Sequence, residues 1–319
     1  MNLLHEIGQA NRIGICGHIR PDGDAIGACL ATWKYVKNAL PNSEVTVFMS
    51  ENPPSIFSNL AGYAEMDYSF HSDEPLDILL VLDVSSPDRL GDAASLFANA
   101  AKTINVDHHV SNSGFCDVSE ICAEASSTCE VLFDTYDKKY IDNDVAKSLF
   151  TGIVHDSGVF QYSNMSRKSF ETVGQLIEYD FDGPKIIDET FYQKSYLQNQ
   201  LLGRALMESI LFMDGKCIAS HIDRDTLKFY DALPKHLEGI VNQLRLTKGV
   251  EVAIFAYELG TMHYKVSLRS NGKVNVADIA VKFGGGGHDR AAGLEINGTY
   301  YDALNSLAPY IEEQLDEAK

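Results

Sequence analysis

Arg12-Ile13-Gly14-Ile15-Cys16-Gly17-His18-Ile19-Arg20-Pro21-Asp22-Gly23-Asp24 begins as an apolar run and ends as a loop of Gly, Pro, His and Asp. The same arrangement recurs twice, because Asp83 ends the run Ile78-Leu79-Leu80-Val81-Leu82 and Asp107-His108-His109 ends Thr103-Ile104-Asn105-Val106. Short apolar runs that are bounded by turn signals and separated by helical patterns are typical of buried parallel strands. Ligands of open α/β sheets gather at the carboxyl ends of the strands. We therefore expect these Asp and His side chains to converge at one edge of a sheet.

The alternation of strand and helix patterns predicts a parallel, doubly wound α/β sheet in the first part of the chain. The predicted strands are 12–16, 44–49, 77–83 and 102–107, and helical patterns cover 25–40, 89–100, 126–153 and 169–179. We place the domain that contains this sheet, the expected catalytic domain, at residues 1–188. Residues 189–213 have only Gly203 as a helix breaker and predict one long connector helix. A smaller α/β domain at 214–319 is expected to follow, with strands at 217–222, 250–257 and 264–268 and the active site in the cleft between the domains.

Composition limits the possible partners. A net charge of −19 disfavours a surface that grips long nucleic acid, since such binding neutralises many phosphates with Lys and Arg. A polyanionic substrate should therefore be short. The first twenty residues do not resemble a signal peptide, and no run approaches the length of a membrane span, so we expect a cytoplasmic protein without a membrane partner. The six cysteines contain no C-x-x-C pair and are expected to be free thiols.

The residue types at the strand ends indicate a metal site. His18, Asp22 and Asp24 share one short loop, where Pro21 and Gly23 favour a tight turn. Asp83 at the end of an apolar strand would be costly to bury unless it met a cation or hydrogen-bond donors, although a helix N-cap is an alternative role. His108 and His109 point in different directions, so one can bind metal while the other faces substrate. Asp156 follows a predicted helix and precedes Ser157-Gly158.

Charge balance favours two divalent ions. The carboxylates of Asp22, Asp24, Asp83 and Asp156 would repel one another if they were crowded together without cations. Two divalent ions would cancel this charge, activate a water molecule and leave a centre that accepts phosphate. Because imidazoles are among the expected ligands, Mn²⁺ is favoured, with Mg²⁺ or Co²⁺ as alternatives.

These motifs, together with the run Gly284-Gly285-Gly286-Gly287-His288, resemble the DHH phosphoesterase superfamily with its DHH-associated C-terminal domain. The resemblance covers nearly the whole chain and is closest to nano-RNases, which act as oligoribonuclease and pAp phosphatase, and to cyclic-dinucleotide phosphodiesterases. It implies one metal on His18, Asp22 and Asp83. It implies a second metal on Asp24, Asp83, His108 and Asp156, with Asp83 as the bridge.

The resemblance also implies roles for the remaining residues. His109 would face the scissile phosphate as a catalytic residue, and Asp107 would orient the imidazoles. In the C-terminal domain the implied substrate-binding residues are Arg269, Ser270, Gly284, Gly285, Gly286, Gly287 and His288. Backbone N–H groups of a glycine loop suit a phosphate, and an Arg can bind one bidentately. On charge alone, an ordinary solvated surface is the favoured interpretation of the cations in this region.

The expected function is that of a Mn²⁺-dependent phosphodiesterase, an exoribonuclease that cuts single-stranded RNA of about two to five nucleotides, pApA included, to mononucleotides. Dephosphorylation of pAp is a second expected reaction. The alternatives are a phosphodiesterase for c-di-AMP or c-di-GMP and, in a different class, a nucleotide sensor without catalysis. The glycine motif disfavours an inorganic pyrophosphatase. The oligomeric state, monomer or homodimer, stays open.

Overall fold

The computed structural model describes residues 1–50, 53–72 and 74–317. The chain forms two compact units, Met1–Gln193 and Lys194–Lys319. Each unit has its own sheet and its own hydrophobic core. The first unit is therefore described before the second.

The first unit contains a five-stranded parallel sheet. Its strands are β1 (Arg12–Cys16), β2 (Glu44–Phe48), β3 (Ile78–Leu82), β4 (Lys102–Asp107) and β5 (Val118–Ile121). They lie in the order β2-β1-β3-β4-β5, and every pair is parallel. The four strands expected from the sequence are confirmed, and β3 lies at the centre of the sheet.

Helices cover both faces of this sheet. They are α1 (Leu3–Ile7), α2 (Gly23–Ala39), α3 (Ala94–Asn99), α4 (Thr128–Thr135), α5 (Asn143–Asp156), α6 (Arg167–Leu176) and α7 (Gly183–Ile187). Leu80 and Leu82 of β3 belong to one core, together with residues of α2, α4 and α5. Leu79 and Val81 belong to a second core with Leu96 of α3. Alternate residues of one strand therefore enter opposite layers, which confirms the doubly wound arrangement.

The second unit contains a mixed six-stranded sheet. Its strands are β6 (Ile210–Phe212), β7 (Cys217–Ile222), β8 (Val252–Gly260), β9 (His263–Ser270), β10 (Gly286–His288) and β11 (Ala291–Asn297), in the order β10-β11-β9-β8-β7-β6. Only β7 and β8 pair in parallel among these neighbours. The helices are α8 (Tyr196–Met207), α9 (Arg224–Phe229), α10 (Ile240–Arg245), α11 (Val276–Lys282) and α12 (Tyr300–Glu317).

The expected connector helix over 189–213 is wrong. A π-helical turn, Asp188–Tyr192, ends the first unit, and the backbone becomes extended at Gln193. Ser195 then starts α8 with a capping box, in which its hydroxyl accepts from the backbone N–H of Gln198 and the Gln198 side chain accepts from the backbone N–H of Ser195. This reciprocal cap specifies a new helix start that apolar periodicity alone does not reveal. Leu201 and Ala205 of α8 are buried in a core of the second unit.

All six cysteines are free thiols, as expected. Cys16, Cys29, Cys129 and Cys217 are buried, whereas Cys122 is exposed. Among the described residues, no helix combines the length and the apolar character that crossing a membrane requires.

Close packing of α2 against α5 depends on glycine. A Cβ at Gly27 would lie 2.6 Å from the carbonyl oxygen of Ser148 and 3.0 Å from the backbone nitrogen of Gly152. Because both neighbours are backbone atoms of a buried helix, we expect Gly27→Ala to lower the free energy of unfolding by about 1–3 kcal/mol, measured by urea denaturation.

A matched control is Gly174→Ala in α6, where a Cβ would meet no atom within 4 Å. Alanine is the better helix former, so this variant should be unchanged or more stable by up to about 1 kcal/mol. Equal behaviour of the two variants would contradict the assignment of close helix packing at Gly27.

Candidate metal centre

The carboxyl ends of the strands bring the expected site residues together. His18 follows β1 and Asp24 lies in the first turn of α2, while Asp83 directly follows β3. His108 follows β4, and Asp156 is the last residue of α5. All five side chains contribute to overlapping groups of oxygen and nitrogen atoms that lie within 4.8 Å of one another, and Asp22 and His109 complete these groups.

The first group of donor atoms consists of His18, Asp22 and Asp83. The Nε2 atom of His18 lies 3.7 Å from Oδ2 of Asp22 and 3.5 Å from Oδ2 of Asp83. Oδ1 of Asp22 is engaged as the N-cap of α2, where it accepts from the backbone N–H groups of Asp24 and Ala25. Asp22 therefore uses one oxygen to start the helix and directs the other toward His18.

The second group consists of Asp24, His108 and Asp156. Nε2 of His108 lies 3.4 Å from Oδ2 of Asp156 and 3.7 Å from Oδ1 of Asp83. Asp83 thus faces both imidazoles, with Oδ2 toward His18 and Oδ1 toward His108. It is the one carboxylate among the described residues whose two oxygens face both of these imidazoles.

Hydrogen bonds set the orientation of both imidazoles. Nδ1 of His18 lies 2.8 Å from the carbonyl oxygen of Ile19, and Nδ1 of His108 lies 3.3 Å from that of Ala125. Because a carbonyl oxygen only accepts, each Nδ1 carries the proton, and in a neutral ring the Nε2 lone pair points toward the carboxylates. The separations from Nε2 to these carboxylates exceed ordinary hydrogen-bond lengths. Nitrogen and oxygen donors that converge in this way fit a divalent metal ion.

The electrostatics of the cluster also favour a cation. Burial, together with the neighbouring charges of Asp24, Asp83 and Asp22, raises the pKa of Asp156 to about 8. Burial and the charge of Asp83 likewise raise the pKa of Asp24. Burial alone would lower the pKa of His18, but Asp22 and Asp83 outweigh it and raise that pKa to about 10. The cluster therefore attracts positive charge, which protons or metal ions can supply.

The N-terminus of α4 stabilises the carboxylate of Asp24. The backbone N–H of Thr128 donates to Oδ2 at 2.7 Å, and that of Cys129 donates to Oδ1 at 3.1 Å. The Thr128 hydroxyl also donates to Oδ1 of Asp83 at 2.9 Å. Negative charge is stabilised at a helix N-terminus, so α4 offsets part of the cost of burying these two acids.

Asp107 is buried and supports His109, whose side chain is only partly buried. Asp107 is fully buried, and its Oδ1 accepts from Nδ1 of His109 at 2.7 Å. Its Oδ2 accepts from the amide of Asn112 at 2.6 Å. The hydrogen bond with Asp107 raises the pKa of His109 to about 9. The His109 side chain is 40% exposed, far more than the side chains of His18 and His108.

The backbone around the cluster is strained, and one glycine has a different role from the expected one. Asp83 and Arg20 adopt φ values of 59° and 55°, in the left-handed region that non-glycine residues rarely occupy. Strain of this kind is concentrated at functional sites. Gly23 is the first residue of α2 rather than part of a tight turn. A Cβ there would lie 2.2 Å from Cγ of His155, so close packing on that ring requires the glycine.

Sequence reasoning missed several supporting residues. Thr128 bonds two of the acids, Asn112 orients Asp107, and the Asn164 amide donates to the carbonyl oxygens of Ser126 and Asp156 at 2.8 and 3.2 Å. Ser126-Ser127-Thr128 at the start of a helical pattern was a recognisable capping signal, and Ser127 is indeed the N-cap of α4. Asn112 and Asn164 lie in loops whose positions only the folded chain defines.

In the second unit, Arg269 and His288 lie in the same cross-strand row of the sheet, on either side of Ala291. Ala291 of β11 is opposite Arg269 on β9 and opposite His288 on β10. Directly opposite residues point to the same face, so Arg269 and His288 flank Ala291 at about two strand spacings, about 10 Å. Ser267, Gly293 and Gly286 form the next row along the same face. Two cationic or titratable side chains thus border a surface of small residues.

The other predicted substrate residues have different environments. Gly285 and Gly287 are required by close approach, since a Cβ at either would lie 2.3 Å from a carbonyl oxygen of β11. Gly284 has a φ of 75°, and Gly286 is open to solvent. Part of the expected loop is thus the edge strand β10. Ser270 is buried, and its hydroxyl bonds with Glu251 and the backbone N–H of Gly272, so this structure does not present it to a ligand.

Comparison with known proteins assigns both units. The DHH family, N-terminal domain, matches residues 12–153, and the DHHA1 domain matches residues 215–317. The chain therefore contains a DHH domain followed by a DHHA1 domain. The resemblance seen in the sequence motifs is confirmed.

Relatives match over almost the full length. The bifunctional oligoribonuclease and PAP phosphatase NrnA of Thermus thermophilus is 28% identical, covering 100% of this chain and 95% of the relative. Its namesake from Bacillus subtilis is 25% identical, covering 92% of each. The crystal structure of an exopolyphosphatase-related protein from Bacteroides fragilis matches with a TM-score of 0.87 and 25% identity, covering 97% of this chain and 94% of that one.

Because Asp83 lies between the two donor groups, substituting it should lower metal content more than substituting His18. Asp83→Asn should remove most bound divalent cation, because its carboxylate faces both groups of donor atoms. His18→Ala should remove only part of it, because His18 faces one group. Metal content after gel filtration, measured by elemental analysis, compares the two.

The matched control is Asp77→Asn at the opposite end of β3, where the Asp77 carboxylate accepts from the backbone N–H groups of Asn11 and Arg12. This variant should keep its metal. Full metal content in the Asp83 variant would show that Asp83 does not link the two groups.

Proposed function

We propose that this chain is a metal-dependent phosphoesterase that hydrolyses short single-stranded RNA, pApA included, to mononucleotides and also dephosphorylates pAp. The observation that carries the proposal is the cluster of overlapping His and Asp donor groups, in which His109 is the most exposed histidine. The names of the Thermus and Bacillus relatives support the substrate class.

The donor groups support two divalent ions. We assign the first to His18, Asp22 and Asp83, and the second to Asp24, Asp83, His108 and Asp156. Because the groups contain imidazole nitrogen as well as carboxylate oxygen, we propose Mn²⁺ as the physiological metal. When bound, the metals would supply Lewis-acid activation of water and of the phosphate oxygens.

His109 and Asp107 are the proposed catalytic pair. The Asp107 carboxylate accepts from Nδ1 of His109, which fixes the ring and leaves Nε2 for the substrate. The hydrogen bond with Asp107 raises the pKa of His109, which favours a ring that is protonated at Nε2. Nε2–H can then donate to a phosphate oxygen or to the leaving oxygen.

Short substrates fit the charge of the molecule. A net charge of −19 opposes binding of long RNA.

In the second unit, Arg269 and His288 lie on one face of the sheet and are the proposed partners for a substrate phosphate. Nε of Arg269 donates to Oδ1 of Asn242, and Nη1 donates to the carbonyl oxygen of Leu268, so the guanidinium is held in place. Free thiols throughout the chain support a cytoplasmic location.

One panel of substrates tests the proposal. Turnover of pApA, c-di-AMP, pAp, a five-nucleotide RNA and pyrophosphate would be compared in Mn²⁺, Mg²⁺ and Co²⁺. We expect pApA and the short RNA to be the best substrates, with Mn²⁺ the best metal. Preference for c-di-AMP or pyrophosphate would contradict the substrate assignment. Nucleotide binding without turnover, unchanged by metal removal, would show a sensor.

His109 should contribute to the chemical step. We expect His109→Ala to lower kcat on pApA by roughly 10²–10⁴ while metal content stays unchanged, since a positioned proton donor has this effect. His263→Ala, in which the lost imidazole pairs with Glu295 on the second unit, serves as the control and should be near wild type. Activity of the His109 variant within a few-fold of wild type would leave that residue a structural neighbour of His108.

Arg269 should act on the substrate's second phosphate. Arg269→Ala is expected to cost about 1.5–3 kcal/mol in kcat/KM on pApA, the scale of a lost charged hydrogen bond. The loss should be much smaller on bis-p-nitrophenyl phosphate, which has a single phosphate.

Lys265→Ala is the matched control, because Lys265 lies on the same face of β9 and pairs with Glu295. Similar losses for the two variants, or equal losses on both substrates, would rule out a specific phosphate contact by Arg269.

A further inference from the structure

The chain beyond Asp156 forms an unusual left-handed turn. Gly158, Val159 and Phe160 have φ values of 57°, 56° and 64°. For a β-branched residue such as Val159 this conformation is a genuine outlier, which persists only where the surroundings enforce it. The turn follows directly on a proposed metal ligand.

Ser157 and the aromatic core hold this turn in place. The Ser157 carbonyl oxygen accepts from the backbone N–H groups of Gln161 and Tyr162, and its hydroxyl oxygen accepts from that of Phe160. The Phe160 ring packs between Phe150 and Phe170, at centroid distances of 6.4 and 6.1 Å. Backbone hydrogen bonds and ring contacts therefore hold the strained backbone in this conformation.

The turn presents one aromatic ring to solvent. Tyr162 is 51% exposed, and its ring covers Gly158 so closely that a Cβ there would lie 2.4 Å from Cζ. The hydroxyl makes no hydrogen bond with any residue in the described part of the chain. On the far side of Tyr162, the Asn164 amide donates to the carbonyl oxygen of Asp156 at 3.2 Å. Two contacts therefore connect this part of the chain to the segment that carries Asp156: the Tyr162 ring packs on Gly158, and Asn164 bonds to the carbonyl oxygen of Asp156.

A single exposed aromatic residue on a protein surface needs no explanation. Tyr162 differs because strained backbone, a glycine beneath the ring and the nearby Asn164 hydrogen bond all restrict the segment that connects it to Asp156. A ring that is already ordered loses little conformational entropy when a flat ligand stacks on it. Nucleobases are such ligands, and they stack on aromatic side chains of RNA-binding proteins.

We propose that Tyr162 is the stacking platform for a nucleobase of the substrate. This inference rests on the proposed function and adds a residue that recognises the base, whereas the residues described above contact phosphate or metal. Stacking requires only a π face, so the platform accepts all four bases and discriminates against a substrate that lacks a base. The hydroxyl is not needed for this contact.

Kinetics with base-free substrate tests the platform. The substrates are pApA and the same dinucleotide with both bases replaced by hydrogen, and the variants are Tyr162→Leu, Tyr162→Phe and Tyr162→Trp. We expect Tyr162→Leu to lower kcat/KM on pApA by roughly tenfold, mainly through KM, and to leave the base-free substrate within about twofold of wild type. The Phe and Trp variants should retain activity on both substrates. Phe229→Leu, which removes an exposed ring from the second unit, is the control and should change neither value.

An equilibrium measurement separates this inference from the proposed function. Binding of AMP and of ribose 5-phosphate to the metal-loaded protein would be measured by calorimetry for wild type and Tyr162→Leu. Loss of affinity for AMP alone supports stacking even if wild type hydrolyses neither dinucleotide, a result that would overturn only the proposed function. Equal effects of Tyr162→Leu on AMP and ribose 5-phosphate, or no effect on either, would overturn the stacking role.

Discussion

The arrangement of the candidate metal centre depends on the carboxylate of Asp83. It follows the central strand of the first sheet, and its two oxygens face His18 on one side and His108 on the other. A parallel order with β3 between β1 and β4 is what places these two imidazoles on opposite sides of one carboxylate. The left-handed backbone at Asp83 is the local cost of that position, and the surrounding strands maintain it.

Burying several acids at one sheet edge requires compensation from the protein. Part of it comes from the N-terminus of α4, which donates two backbone N–H groups to Asp24, and from the Thr128 hydroxyl, which donates to Asp83. Asp22 receives backbone donors as the N-cap of α2. Oδ2 of Asp83 lies 3.5 Å from Nε2 of His18, and Nε2 of His108 lies 3.4 Å from Oδ2 of Asp156, so these atoms face one another at more than ordinary hydrogen-bond lengths. The negative charge that these hydrogen bonds do not compensate makes the cluster a candidate site for cations.

The sequence was informative where local pattern and chemistry coincide. Four strands of the first sheet and the residues at their ends were predictable because apolar runs, turn residues and chemically distinctive side chains occur together. The supporting residues Asn112 and Asn164 were not predictable from the sequence, because they lie in loops that reach the site only after folding. The break before α8 was missed because a capping box, not periodicity, sets the start of that helix. Gly23 was assigned to a turn, whereas the His155 ring behind it explains the glycine.

In both units, contacts within the protein hold accessible side chains in a fixed orientation. In the first, buried Asp107 holds the partly buried ring of His109, and the strained turn after Asp156 carries the exposed ring of Tyr162. In the second, Asn242 holds the Arg269 guanidinium through a hydrogen bond. The neighbouring residues Ala291 and Gly293 of β11 have small side chains or none, so neither projects a large group beside the guanidinium. Groups that are already oriented lose less entropy when a ligand binds, so affinity for a small substrate can come from a few contacts. A short oligonucleotide offers few contacts, so each protein group that is already oriented contributes a larger share of its binding free energy.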